Sequence, residues 1–304
     1  MKLVSFQKLG RNRDHPRLWL ESQRLDALGF SAGTPLLIRP FNRGIRLIPA
    51  QRASNHVSHR IFGGRKRPII DIENKTALGF LIDYSELKLT ARFGEIEILP
   101  SIRGFHIARG FAARPPFRTL EVFCGGGTLS AALAQSTNFS LVAGLEIEPK
   151  FADVWQRAHP EAVLYQTDLR LIHPSEVPGH DVLIASIPCT SHSTLGRAKK
   201  SLAGKPELGD TGDLFLSVAH LIAHHLPAAC IFENVPAFAN SLACQSLVNH
   251  LKKLGYSVFE TILDPLNEWN EPQDRRRWIA VATLKPGFQI KAHVCRSIPG
   301  LAVF

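Results

Sequence analysis

The sequence predicts an α/β protein, a seven-stranded and mostly parallel sheet preceded by a small β-rich domain. Three observations carry that expectation. From residue 119 onward, apolar runs of four to seven residues alternate with helical segments, the pattern of strands covered on both faces. The first hundred residues instead hold short branched or apolar runs separated by Gly, Pro and Asn. Charge divides the chain at the same place. Residues 1–118 carry 21 Lys/Arg against 9 Asp/Glu, whereas residues 119–304 carry 15 against 17.

A chain of 304 residues can bury one large core, or one core and a satellite domain. Its 45% hydrophobic and 20% charged content is that of an ordered soluble protein. No apolar run reaches the roughly 18–20 residues of a membrane span. The opening MKLVSFQKLGRNRD has no continuous apolar stretch, so no signal peptide is expected. Five cysteines without close pairs argue against a disulfide framework or a zinc site, and 13 histidines show no ligand spacing. The expectation is a cytoplasmic protein with no metal and no membrane contact.

In chain order, strands are expected at Pro35–Arg39, Ile45–Pro49, Ile69–Ile72, Ala77–Leu81 and Glu95–Leu99, with a short helix or turn over Leu20–Leu28 that ends at Gly29. These make a basic domain over residues 1–100. Residues 101–118, with Gly104, Gly110, Pro115 and Pro116, read as a linker. The third part, residues 119–304, holds strands at Thr119–Cys124, Leu141–Glu146, Ala162–Gln166, Asp181–Ser186, Ala228–Glu233, Ser257–Leu263 and Trp278–Thr283. Helices are expected at Leu129–Gln135, Lys150–Ala158, Leu214–His225 and Leu242–Leu254.

Candidate functional residues fall just past the ends of these strands, where open α/β sheets bind ligands. The first strand runs into Phe123-Cys124-Gly125-Gly126-Gly127, a turn that lets backbone approach a ligand; a plain structural turn is the other reading. Glu146 ends the second strand 19 residues after Gly127, where an acid can accept from ribose hydroxyls. Asp168 follows the third strand. The fourth delivers Pro188-Cys189, and a lone cysteine is more often a buried apolar residue than a nucleophile. Glu233 closes the fifth strand, and the basic run Arg275-Arg276-Arg277 enters the last. In the first domain Arg65, Lys66 and Arg67 suit a phosphate backbone, the alternative being a merely basic surface.

Taken in order, Phe123-x-Gly125-x-Gly127, Glu146, Asp168, Pro188-Cys189, Glu233-Asn234-Val235 and Gln273-x-Arg275-x-Arg277 resemble the cytosine-C5 methyltransferase family over about residues 119–284. Asp213-Leu214-Phe215 and Leu254-Gly255-Tyr256 fit the same pattern. The resemblance implies a Rossmann-like, S-adenosylmethionine-dependent methyltransferase domain acting on nucleic acid. It implies Cys189 as the nucleophile that adds to cytosine C6, Glu233 on N3, Arg275 on O2 and Arg277 in support. It assigns Phe123, Gly125, Gly127, Glu146, Asp168 and Pro188 to the cofactor, and Ser193 to the nucleic acid. It also makes residues 195–212 a loop that closes over the substrate. Separately, residues 17–49 resemble SymE-type, AbrB-like modules through Trp19-Leu20, Gly29-Phe30 and Gly33-Thr34.

The sequence departs from the family at two places. Thr190 stands where the family has Gln, and only 27 residues follow Arg277, without the family's target-recognition region or its Gly-Asn segment. Recognition is therefore expected from the basic first domain or from a partner subunit. DNA is the expected substrate. Two alternatives remain open: an RNA enzyme acting on tRNA, and a nucleic-acid-binding or regulatory protein whose methyltransferase fold is vestigial or works only beside a partner.

Overall fold

The computed structural model describes residues 2–188, 213–269 and 273–284, and divides into two compact units, Met1–Arg109 and Gly110–Phe304. The first unit contains β1 (Leu3–Gln7), β2 (Gly10–Asn12), β3 (His15–Glu21), α1 (Arg24–Ala27), β4 (Pro35–Phe41), β5 (Gly44–Pro49), β6 (Asn55–His56), β7 (Ser58–Phe62), β8 (Arg65–Ile72), α2 (Lys75–Leu78), β9 (Leu87–Arg92) and β10 (Glu95–Pro100). The strands pair antiparallel in the orders β1-β9-β10-β5-β4-β6 and β2-β3-β8-β7. Both sheets contribute to one core, in which Leu18, Phe30, Leu36, Leu47, Ile70 and Ile98 are fully buried.

Two expectations fail here for physical reasons. The apolar run Ala77–Leu81 is not a strand: Asn74 caps α2 by accepting from the Ala77 N–H at 3.0 Å, and a further helical turn follows over Gly79–Leu81. Residues 101–118, expected as a linker, are not an irregular stretch. They form α3 (Ile102–Ala112) and the start of a strand, and Ser101 Oγ accepts from the Gly104 N–H at 2.8 Å. Gly104, which suggested flexibility, is a packing site, since a Cβ there would collide with the Glu86 carbonyl. The expected helix within Leu20–Leu28 shortens to α1, because β3 continues to Glu21.

The second unit is built on β11 (Phe117–Val122), α4 (Thr128–Ala134), β12 (Phe139–Leu145), α5 (Pro149–Ala158), β13 (Val163–Tyr165), β14 (Val182–Ala185), α6 (Leu214–His225), β15 (Ala229–Asn234), α7 (Leu242–Lys253), β16 (Ser257–Leu263), α8 (Pro265–Trp269) and β17 (Arg277–Thr283). One seven-stranded sheet runs in the order β13-β12-β11-β14-β15-β17-β16. All neighbours are parallel except β17, which is antiparallel to both β15 and β16. Strand β14 is Val-Leu-Ile-Ala and buried at every residue, as a central strand covered on two faces must be. The chain leaves β11 in one direction through β12 and β13, then returns to add β14 on the other side. That reversal opens a crevice beyond the carboxyl ends of β11 and β14.

Helix α5 is fastened under this sheet by Trp155. Its ring is fully buried, its Nε1 donates to Glu121 Oε2 at 2.7 Å, and it lies flat on β12 at Gly144. A Cβ at Gly144 would stand 2.6 Å from Trp155 Cζ2 and 2.7 Å from Cε2 and Cη2. Gly144→Ala is therefore expected to destabilise the chain by about 1–3 kcal/mol through overpacking, read as a lower urea midpoint. An unchanged midpoint would show that Trp155 can shift without cost.

Candidate active site

Beyond Val122 the chain turns through Phe123 (φ 57°) and Gly125 (φ 52°) to Gly127 (φ 84°), which caps the start of α4. This left-handed region is natural for glycine and strained for Phe123, and such strain is found at ligand-facing turns. Glu146, at the end of β12, fixes the turn. Its Oε2 accepts from the Gly125 N–H at 2.8 Å and its Oε1 from the Glu148 N–H at 2.8 Å. A Cβ at Gly125 would meet nothing within 4 Å, so the space over that residue is open.

Asp168 begins the one-turn helix Leu169–Leu171 and is held by Arg170, whose Nη2 lies 2.6 Å from Asp168 Oδ2. The guanidinium keeps the Asp168 carboxyl below the usual carboxylate range. Phe123, Glu146, Asp168, Arg170, Pro188 and Leu214 line a common cavity of about 120 Å³. A larger cavity of about 470 Å³ lies in the first unit among Leu3, Trp19, Leu25 and Leu89. Its wall is mostly the apolar face of strands, and it holds none of the expected catalytic groups.

The next two strand ends are tied together. Asn234, buried at the end of β15, donates from Nδ2 to the Ile187 carbonyl at 3.0 Å and accepts from the Val235 N–H at 2.8 Å. The turn that leads to Pro188 is thereby fixed to the strand that carries Glu233. Because β17 runs antiparallel to β15, its first residue arrives at this carboxyl edge, and Arg277 Nε stands 2.7 Å from Glu233 Oε1. Arg275 is exposed, and among the described residues its side chain makes no ion pair with Glu233. Cys189 and Ser193 lie outside the described residues, as does the expected loop over residues 195–212. Cys124, Cys230 and Cys244 are buried thiols, and burial pushes each of them up, Cys244 to about 12. None of these three is a ready thiolate.

Beneath the glycine turn lies a buried polar network. Glu121 is 2% exposed within β11; besides Trp155, Ser130 hydrogen-bonds to it. Ser130 Oγ donates to the Gly127 carbonyl at 3.0 Å and meets His159 Nε2 at 3.0 Å. Burial lowers the His159 pKa and raises that of Glu121. Sequence reasoning missed this network, and also Arg170 and the tie made by Asn234. An acid at an otherwise apolar strand position is a usable signal for Glu121. Trp155 and Ile187 are distant in sequence from their partners and offer none.

In the first unit, the expected phosphate-binding residues sit toward the tip of the hairpin β7–β8, whose strand β7 is exposed throughout. Arg60 and Arg67 face each other across it, and both pair with Glu21 Oε1, at 2.9 Å and 3.4 Å. Arg67 also lies over the Phe62 ring at 4.6 Å, so its charge is already engaged. Arg65 and Lys66 are exposed near the tip.

A glycine turn after the first strand, acids after the second and third, and a carboxylate paired with an arginine near the end of the fifth thus gather at one edge of the sheet. Residues 117–294, more than half of the chain, match the family model C-5 cytosine-specific DNA methylase, and the chain belongs to that family, whose methyl donor is S-adenosylmethionine. It is similar to the Type II methyltransferase M.HgiBI of Herpetosiphon aurantiacus, 29% identical over 53% of this chain and 36% of that protein. It is also similar to the tRNA (cytosine(38)-C(5))-methyltransferase of Schizosaccharomyces pombe, 26% identical over 55% of this chain and 50% of that protein. Among solved structures, the Entamoeba histolytica methyltransferase EhMeth aligns with a TM-score of 0.49 at 23% identity, over 59% of this chain and 57% of that one. The chain thus spans about a third to a half of the length of these curated relatives.

The raised pKa of Glu121 sets a direction for stability. Proton uptake by this carboxylate favours the fold; that contribution is complete below the usual carboxylate range and is lost as pH rises through the raised value. Gln at this position removes the buried charge and keeps an acceptor for Trp155. Glu121→Gln is expected to raise the Tm at about pH 8 and to lose that advantage near about pH 4. A variant less stable at both pH values would show that the ionised form is the better partner for Trp155 and Ser130.

Proposed function

We propose that this chain transfers a methyl group from S-adenosylmethionine to C5 of cytosine in DNA, through a covalent bond between Cys189 and C6. The single observation that carries the reading is the Glu233–Arg277 pair, a carboxylate fixed at 2.7 Å one strand away from the turn leading to Cys189. The three buried cysteines with raised pKa support Cys189 by leaving the nucleophile to the remaining thiols.

The residues at the cofactor edge fit an adenosyl ligand. The space over Gly125 is open, Glu146 uses one lone pair of each oxygen and keeps others for ribose hydroxyls, and Phe123, Leu145 and Leu214 offer apolar walls to a flat purine. Phe123, Gly125, Gly127, Glu146, Asp168 and Pro188 would hold it. When bound, S-adenosylmethionine supplies an electron-poor methyl group.

Cytosine C5 is a weak nucleophile on its own. The Cys189 thiolate adds to C6, opening the C5–C6 double bond and placing its electron pair on C5. Glu233, in its protonated form, donates to N3 as charge develops on the ring, with Arg277 keeping the carboxyl group in place, and Arg275 reaches the base at O2. C5 would then bond to the methyl carbon as that carbon's bond to the sulfonium sulfur breaks, the electron pair staying on sulfur and S-adenosylhomocysteine leaving. Loss of the C5 proton to solvent restores the double bond and expels the Cys189 thiolate. In a duplex the base must first leave the stack, at a cost of about a few kcal/mol.

The family's description favours DNA. The tRNA methyltransferase among the relatives favours RNA as the second reading. A duplex and a tRNA carrying 5-fluorocytosine separate them, because fluorine cannot leave as a proton and the adduct is trapped. With radiolabelled S-adenosylmethionine, a denaturing gel is expected to show a labelled protein–DNA band that Cys189→Ala abolishes. A band on tRNA alone would move the substrate to RNA, and no band on either would sink the proposed activity.

The exposed charges of the hairpin β7–β8 offer a contact for the nucleic-acid backbone. If the hairpin contacts phosphates, removing both exposed charges with Arg65→Ala/Lys66→Ala should lower the salt dependence of nucleic-acid binding by about two counterions. An unchanged slope would assign recognition elsewhere.

A further inference from the structure

We propose that His159 is a positioning residue for the cofactor: by donating from Nε2 to Ser130 Oγ, it directs the Ser130 hydroxyl to the Gly127 carbonyl and holds the glycine turn in place. The proposal rests on the reading of that turn as part of the adenosyl site.

Its first support is that the turn needs a brace from outside. Gly125-Gly126-Gly127 puts three glycines in a row, and glycine loses more conformational freedom on ordering than any other residue. A ligand that had to order them itself would bind more weakly. Gly127 is seated on side chains of α4, of α5 and of the residue that follows α5. A Cβ there would stand 3.0 Å from Ser130 Oγ, 3.1 Å from Trp155 Cδ1 and 3.8 Å from His159 Nε2. The Gly127 carbonyl accepts from Ser130 Oγ at 3.0 Å as well as from the Ala131 N–H at 2.9 Å.

The second support is a count of protons. A serine hydroxyl has one proton and two lone pairs. Ser130 Oγ lies 3.0 Å from the Gly127 carbonyl and 3.0 Å from His159 Nε2. With the proton on the Gly127 side, the contact to His159 is a hydrogen bond only when Nε2 carries a hydrogen. A bare Nε2 would claim the serine proton, and the carbonyl would lose its second donor. Glu121 is the other acceptor beside Ser130, and it has donors without the hydroxyl: Trp155 Nε1 at 2.7 Å and the Ser130 backbone N–H. A serine bond to a carbonyl three residues back is common in helices. Here an imidazole from another element decides whether it forms.

His159 is itself held firmly. Its backbone N–H donates to the Trp155 carbonyl at 3.0 Å, its own carbonyl accepts from Gln156 Nε2 at 3.1 Å, and its ring lies 4.9 Å from that of Trp155. Burial lowers its pKa, so near about pH 8 the ring is neutral and the hydrogen on Nε2 is a choice of tautomer.

Binding of S-adenosylhomocysteine to the full chain, measured by calorimetry, tests this. His159→Phe keeps a ring against Trp155 and removes the donor, whereas His159→Gln gives up the ring and keeps an amide N–H. Binding is expected to weaken about fivefold in His159→Phe and to stay within about twofold of native in His159→Gln. In a Ser130→Ala background, His159→Phe should cost nothing further. The proposal fails if His159→Gln binds no better than His159→Phe, the order that ring packing alone would give, or if the losses add in the Ser130→Ala background. A nitrogen-15 spectrum of the native chain near about pH 8 needs no variant to fold: a protonated His159 Nε2 is expected, and a bare one overturns the proposal. Glu146→Ala keeps the two readings apart. If it weakens binding while the His159 variants follow the packing order, only the positioning role fails. If it binds unchanged, or the folded native chain does not bind, the adenosyl-site reading fails and the role of His159 with it.

Discussion

Strand β11 pairs in parallel with β12 on one side and β14 on the other, and the chain reverses its direction of travel between them. This adjacency fixes everything proposed for ligands. A strand fully hydrogen-bonded on both edges has a rigid end, and the residues just beyond it inherit that rigidity. Phe123 to Gly127, Glu146 and Pro188 stand a short step past such ends, Asp168 follows the edge strand β13, and Glu233 is the last residue but one of β15. Cross-bonds then tie one strand end to the next: Glu146 to the glycine turn, and Asn234 to the Ile187 carbonyl. The edge behaves as one object, although its residues are spread over more than a hundred positions in the chain.

Much of this was legible in the sequence because the governing signals are local. All seven strands and four main helices of the second unit are marked by apolar periods with glycine or proline at their borders, and their observed limits differ from the expected ones by a few residues. The first unit was harder. Its β7 is exposed at every residue and β1 nearly so, and neither has the apolar period that betrays a half-buried strand. Ala77–Leu81 looks apolar enough for a strand, yet the cap at Asn74 decides for helix. Gly104 marked a linker in sequence and a tight contact in space, a distinction that needs the identity of the neighbour.

Within the site, the sequence identified which residues gather but not which of them touch. Arg275 and Arg277 carry the same charge two positions apart in one basic run. Only Arg277 meets Glu233, because alternation along a strand sends the first side chain of β17 inward while Arg275 lies before the strand begins. Arg170 offered no signal, since a single exposed arginine after an acid is common on any surface. It pairs with two carboxylates that are far apart in sequence, Asp168 and Asp213.

The antiparallel strand β17 has a further consequence for how the architecture can vary. Each parallel crossover leaves the sheet at the ligand edge and re-enters it at the opposite edge, so a change in its length disturbs both. The connection from Leu263 of β16 to Arg277 of β17 differs, for both of its ends stand at the carboxyl edge of β15. Added residues there would extend from the carboxyl edge of the sheet while every strand register stayed intact. That connection is the point at which this scaffold can gain or lose substrate contacts independently of its core.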